Sequence, residues 1–269
     1  MANVRTSTVV KHVALSHGSL VYAEAGAGPA VLLLHQTPRS WDEYRDVLPL
    51  LAAGGFRAIA FDSPGFGASA PLPGEPTIER WAQTARDGLD ALEIASVSVV
   101  GHHTGGVIAV ELAAQQPERV SALVLSSTPL TDADYRARPP DESEVDAADD
   151  ADGLRRSRAD FYPVDRPDLL DRYVADALNA GPLAQAGHRA VGVYEMDRAL
   201  GRLGMPTLLI GATDDPFAHP QLARLRAALP NAEFLEITGG MVPLPDGWPE
   251  AFAAALVSFL GHVVPRAAG

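Results

Sequence analysis

Val97-Ser98-Val99-Val100-Gly101-His102-His103-Thr104-Gly105-Gly106 is the stretch on which the fold turns. Its first four residues are a short run rich in β-branched side chains, which favours a buried strand. From Gly106 the chain continues Val107-Ile108-Ala109-Val110-Glu111-Leu112-Ala113-Ala114-Gln115-Gln116 and then meets Pro117, the pattern of a buried helix with a stop. Between strand and helix lies Gly-X-His-X-Gly. Small flanking residues let a strained turn lift one side chain above a sheet, and here that side chain is His103. The plainer alternative is a glycine-rich turn that carries two incidental histidines.

The same alternation extends outward. Short apolar runs recur at Val31–Leu34, Ala58–Phe61, Val97–Val100, Ala122–Leu125, Thr207–Ile210 and Phe234–Ile237, separated by helical patterns. Continuous apolar strands alternating with helices predict an α/β protein whose mostly parallel sheet is covered on both faces. The first residues differ, because Thr8–Val13 and Leu20–Glu24 around His17-Gly18 read as an antiparallel edge hairpin. Helices are predicted over Trp41–Ala53, Ile78–Leu92, Gly105–Gln116, Gln221–Ala228 and Pro249–Leu260.

From Pro129 to about Gly204 the rhythm breaks. Acidic residues from Asp132 to Asp152 crowd together, followed by Arg155-Arg156-Ser157-Arg158 and helical stretches near Asp168–Leu178 and Gln185–Leu203. This predicts a core of residues 1–128 and 205–269 interrupted by a helical lid, 129–204. Like charges in blocks repel one another and stay solvated, so the acidic run reads as a connection rather than a cation site.

The chain has 269 residues, a net charge of -13 and no cysteine. The negative charge argues against nucleic acid and anionic membrane surfaces as partners and favours a small-molecule substrate. Without cysteine there is no disulfide, thiolate nucleophile or Cys-based metal site. No apolar run approaches the roughly 20 residues of a spanning helix, and the N-terminus lacks a leader's apolar region, so a cytoplasmic protein is expected. The sequence leaves room for a homo-oligomer.

Taken together, Leu32-Leu33-Leu34-His35 with Pro38 and Trp41, Asp62-Ser63-Pro64-Gly65-Phe66-Gly67-Ala68-Ser69, the Gly101–Gly105 turn, Gly211-Ala212-Thr213-Asp214-Asp215-Pro216 and the terminal Pro249-Glu250-Ala251-Phe252 helix resemble the α/β-hydrolase superfamily over essentially the whole chain. The resemblance implies the fold, with a nucleophile elbow at Gly101–Gly105, more firmly than any one reaction. Three departures stand out. His103 occupies the position where relatives carry Ser, Asp or Cys. The late loop in which relatives place a catalytic histidine reads Thr238-Gly239-Gly240-Met241-Val242. The usual His-Gly of the oxyanion loop is His35-Gln36.

The acid of such families follows a strand-ending glycine by three residues, which points to Asp214; a one-residue slip would exchange it for Asp215, and a structural Asx turn before Pro216 is the alternative to both. A His103–Asp214 pair would have the acid fix the imidazole tautomer while the second ring nitrogen takes a proton. The resemblance places the backbone N–H groups of Thr37 and Thr104 as oxyanion donors, with Gln36 as an added polar contact. Trp41 is expected on the pocket floor and Tyr162, among Phe161, Tyr173, Tyr194 and Met196, in its roof. Helical aromatics are also ordinary core. His188 and His219 are candidates for the missing base. His35 and His102 read as structural, and because adjacent residues of such a turn point apart, His102 and His103 predict no metal site.

These residues point to an enzyme needing no cofactor, hydrolysing a small organic ester, lactone or C–C substrate with His103 as general base. Lyase, decarboxylase or oxygenase-like proton abstraction and a non-catalytic ligand-binding protein are the alternatives.

Overall fold

The computed structural model describes residues 7–138 and 150–264. Asp141, Glu142, Glu144, Asp146 and Asp149 of the acidic run lie outside the described residues. The strands are β1 Val9–Leu15, β2 Gly18–Ala25, β3 Ala30–Leu34, β4 Arg57–Phe61, β5 Val97–His102, β6 Val120–Ser126, β7 Thr207–Ala212 and β8 Glu233–Ile237. They form one eight-stranded sheet in the order β1-β2-β4-β3-β5-β6-β7-β8. β1 and β2 are the antiparallel edge hairpin, and every pairing from β3–β4 to β7–β8 is parallel.

Alternation along the strands sorts the core into two layers. On β3, Leu32 and Leu34 join a cluster with helices α2 Ile78–Ala91 and α3 Thr104–Gln115, while Val31 and Leu33 face α1 Val47–Ala53 and the C-terminal helix Pro249–Val263. Each such leucine is fully buried, and removing one from water stabilises the fold by about 1.5–3 kcal/mol.

Between β6 and β7 the described chain is helical: α4 Ala133–Arg136, α5 Ala151–Arg158, α6 Pro167–Ala180, α7 Pro182–Val193 and α8 Met196–Leu200. This segment has its own small cluster of Leu154, Tyr162, Leu169, Tyr173, Val174 and Ala177. After β7 come α9 His219–Ala228, then, beyond β8, α10 Leu244–Gly247 and α11 Pro249–Val263. Among the described residues no helix is long and apolar enough to cross a membrane.

Two expected helices are divided. The helix expected over Trp41–Ala53 is a 3-10 turn, Trp41–Tyr44, followed by α1. Pro49 explains the break, since proline lacks the N–H a longer helix would need and is tolerated within a first turn. The stretch expected as one helix over Gln185–Leu203 bends at Tyr194, whose backbone is extended and whose hydroxyl donates to Glu111 of α3 at 2.5 Å.

Candidate active site

The turn between β5 and α3 is built by close approach. A Cβ on Gly101 would lie 2.2 Å from the carbonyl oxygen of Gly105, and one on Gly105 would lie 1.9 Å from the carbonyl oxygen of Leu34 on β3. Only glycine lets these backbones meet. At the apex, His103 has φ 46° and ψ -114°, a conformation that side chains other than glycine rarely adopt. Its N–H donates to the carbonyl of Ser126, tying the apex to β6. The imidazole is thereby held at the C-terminal end of the sheet, where it lines a cavity.

His103 Nε2 lies 2.8 Å from Asp215 Oδ2. The other carboxylate oxygen, Oδ1, accepts the N–H groups of Phe217 and Ala218, each at 3.0 Å. Burial would push this carboxyl up, but the His103 imidazole and the Ala218 N–H outweigh it and hold Asp215 at about 2. An ionised Asp215 can only accept, so Nε2 carries a proton towards it, and in the neutral imidazole the lone pair is then on Nδ1.

This corrects the expectation for the acid. Asp214 is exposed, takes the Thr213 hydroxyl at 2.8 Å and does not meet His103. β7 runs on to Ala212, and the turn that follows directs the second aspartate inward. The Asx turn and the imidazole partner are the same residue: Asp215 caps the turn with one oxygen and holds His103 with the other.

The neighbouring histidines are engaged on both nitrogens. His102 is fully buried, with Nδ1 3.0 Å from Ser126 Oγ and Nε2 2.9 Å from the carbonyl of Val242, so Nε2 donates and Nδ1 accepts. Burial, with a smaller contribution from neighbouring His103, lowers it to about 3. It thereby braces the loop that has no histidine of its own. His35 donates from Nδ1 to the Gln36 carbonyl at 2.8 Å and accepts the Ser63 N–H on Nε2 at 2.9 Å, and burial lowers it to about 4.

The cavity above His103 encloses about 700 Å³ of empty space, its solvent-open mouth included. Gln36, Thr37 and Thr104 line it from the sheet side, and Tyr162 and His188 from the inserted helices. Thr104 is the first residue of α3, where an N–H has no partner within the helix and faces the positive end of the helix dipole. Tyr162 is buried, and its hydroxyl meets no hydrogen-bond partner among the described residues. Burial raises its pKa well above the ordinary range.

Three expectations need correction. Trp41 is off the cavity wall: it heads the 3-10 turn after Ser40, packs against the α1–α11 layer and donates its backbone N–H to Asp62 Oδ1 at 2.7 Å. His219 lies at the surface, paired with Glu236 at 2.8 Å, and does not line the cavity. Gln36 reaches the cavity, but its amide nitrogen is committed to Glu43 Oε1 at 2.7 Å and so is unavailable to an oxyanion. Tyr135, Arg158 and Tyr173 also line the cavity, and the residues alone singled out neither Tyr135 nor Arg158 for it.

Comparison with known proteins agrees with this architecture. Residues 29–181 match the alpha/beta hydrolase fold family. The chain is 36% identical over 127 residues to the bifunctional epoxide hydrolase 2 of Sus scrofa, a match covering 44% of this chain and 23% of that protein. It is 37% identical to an epoxide hydrolase of Caballeronia sordidicola over 42% of this chain and 35% of the relative. The chain thus spans less than half the length of these relatives. The structure of a bromoperoxidase from Bacillus anthracis superposes with a TM-score of 0.81 at 20% identity, over 94% of this chain and 100% of that one. That of an enol-lactonase from Burkholderia xenovorans superposes at 0.76 and 20% over 94% and 100%. The chain belongs to the alpha/beta hydrolase fold family.

Proposed function

We propose that this protein hydrolyses a small organic ester, lactone or comparably activated substrate without a cofactor, using His103 as general base and Asp215 as the acid that orients it. The observation that carries the reading is the 2.8 Å contact between His103 Nε2 and the buried Asp215 carboxylate on the cavity wall. It leaves Nδ1 as the basic atom. A water takes the place that a serine hydroxyl occupies in an acyl-enzyme mechanism.

In the first step Nδ1 removes one proton from the water as its oxygen attacks the carbonyl carbon. The imidazolium that forms is stabilised by Asp215, and the negative charge on the former carbonyl oxygen is met by the N–H groups of Thr37 and Thr104. Collapse of the tetrahedral species breaks the bond to the leaving oxygen, which takes its proton from Nδ1 and restores the neutral base. The helices of residues 129–204 form a lid over this chemistry and contribute Tyr162 as a buried hydroxyl for a polar group of the substrate. Relatives named as epoxide hydrolases extend the substrate class to strained ethers, which the same activated water can open. His103 supplies no carboxylate for an ester intermediate.

The test is turnover of 4-nitrophenyl esters, small lactones and styrene oxide in ¹⁸O-labelled water. Wild type is expected to place one solvent oxygen in the product, and His103→Ala is expected to lose about 10²–10⁴ in rate. Products free of solvent oxygen, or a fully active His103→Ala, would refute the reading.

A further inference from the structure

The residue in the most unusual setting near the cavity is Glu43, an acid with no solvent exposure. One of its oxygens accepts the Gln36 backbone N–H at 3.0 Å and the other accepts the Gln36 side-chain nitrogen at 2.7 Å. Both ends of one residue are thus clamped by one carboxylate. Burial pushes the Glu43 acid up to about 7; its ionised form accepts and does not donate, so above that pH the clamp fixes which half of the amide faces inward. The other half, Oε1, leaves the amide carbon on the side away from Glu43. Among the described residues no donor reaches Oε1, and it is not among the polar atoms sealed off from solvent, while Gln36 lines the cavity.

We propose that Glu43 is a positioning residue that turns the Gln36 carbonyl oxygen into the cavity as a hydrogen-bond acceptor, making the site selective for a hydroxyl group: the attacking water, or a hydroxyl-bearing ligand in its place. The inference rests on the general-base reading for its catalytic meaning and on geometry alone for its binding meaning. A carbonyl oxygen repels a developing oxyanion, so Gln36 does not belong with the Thr37 and Thr104 donors. Its complement is an O–H. With water bound, one proton points to His103 Nδ1 and the other to Gln36 Oε1, which leaves an oxygen lone pair aimed at the substrate.

The clamp is itself held. Arg39, fully buried, donates to Asp176 and Asp246, and its charge pulls the Glu43 acid down against the upward push of burial. Gln36 is the hydrogen-bonded partner of the Glu43 acid, on both of its oxygens.

The test is binding of phenol against anisole to the whole protein, by calorimetric or NMR titration. Phenol offers an O–H where anisole offers a methyl ether. Wild type is expected to bind phenol several-fold more tightly, about the 3- to 10-fold of one net hydrogen bond. Gln36→Met is expected to erase that ratio while leaving anisole affinity within about twofold. Glu43→Gln is expected to erase it too, because the new amide can donate to Oε1 and turn the Gln36 side chain around. A purely structural role for Glu43 would weaken both ligands together and keep the ratio. Equal binding of the two ligands to wild type, or a ratio that survives Gln36→Met, overturns the proposal. His103→Ala separates the two readings: if it keeps both the phenol preference and full turnover, the general-base reading fails while the acceptor stands.

Discussion

At the scale of single residues, the adjacent aspartates make the sharpest contrast. Asp215 is buried between His103 and two backbone N–H groups, whereas Asp214 faces solvent beside Thr213. Asp215→Asn is expected to lower kcat by about 10²–10⁴ because the amide no longer enforces the tautomer that carries its proton on Nε2. Asp214→Asn is expected to stay within about twofold, and steady-state kinetics on any turned-over ester decides between them. The same pair yields a pH prediction. Asp215 sits at about 2 in the folded protein, below its ordinary value of 3.8, so its ionisation contributes stability that is full above 3.8 and is lost as pH falls through about 2. A shift of that size is worth about 2 kcal/mol. The stability gap between wild type and Asp215→Asn, measured by urea unfolding, should therefore narrow from pH 5 to pH 2. The sequence brought the acid to within one position, since spacing counts residues and does not say how far a strand continues. Glu43 was not legible at all: an acid in a predicted helix after Trp41 reads as solvent-facing, and its burial depends on Gln36 and Arg39 closing over it.

At the scale of elements, the inner strands β3 to β7 were legible because each is a short apolar run that the sheet buries on both faces, and continuous hydrophobicity is what such burial demands. The inserted helices were harder to read. Nothing local ends α7 at Val193, where the chain is turned instead by the Tyr194 hydroxyl reaching Glu111 on α3. The joint between β5 and α3 rests on contacts tighter than any side chain allows. Gly105→Ala would drive a methyl into the Leu34 carbonyl at 1.9 Å, an atom of the central sheet that cannot step aside. The substitution is expected to cost about 3 kcal/mol or more in chemical denaturation, at the severe end for a single methyl in a packed core. A cost near zero would mean that the turn is far looser than its geometry. Gly192→Ala, with nothing within 4 Å of the added carbon, is the matched control and is expected to lie within about 0.5 kcal/mol of wild type.

At the scale of the whole molecule, three distant segments meet in one buried set of charges. Arg39, from the loop after β3, donates to Asp176 of α6 at 2.9 Å and to Asp246 of α10. Arg172, one turn before Asp176 on the same helix, donates to Asp42 at 2.6 Å and reaches Asp246 at 2.9 Å. The inserted helices are thus fastened to the core on the side of Gln36 and Thr37, which line the cavity, and that connection has no signature in any one stretch of sequence. Replacing a buried ion pair whole with apolar groups can be neutral, but removing one partner strands the other charge. Arg39→Met takes the cation from Asp176 and leaves Asp246 with Arg172 alone, and it is expected to destabilise the fold by about 3–5 kcal/mol. Arg172→Met leaves Arg39 in place with Asp176 and Asp246 and removes only the ties from α6 to Asp42 and Asp246, so its effect should concentrate where α6 meets the core. Amide hydrogen exchange reads that difference directly, because local opening is reported helix by helix. In Arg172→Met, α6 should lose protection while α3, packed between β5 and α2, keeps it. Equal loss in both helices would mean that the insertion and the sheet open as a single unit, and the charges at Arg39 and Arg172 would then be holding the whole fold together.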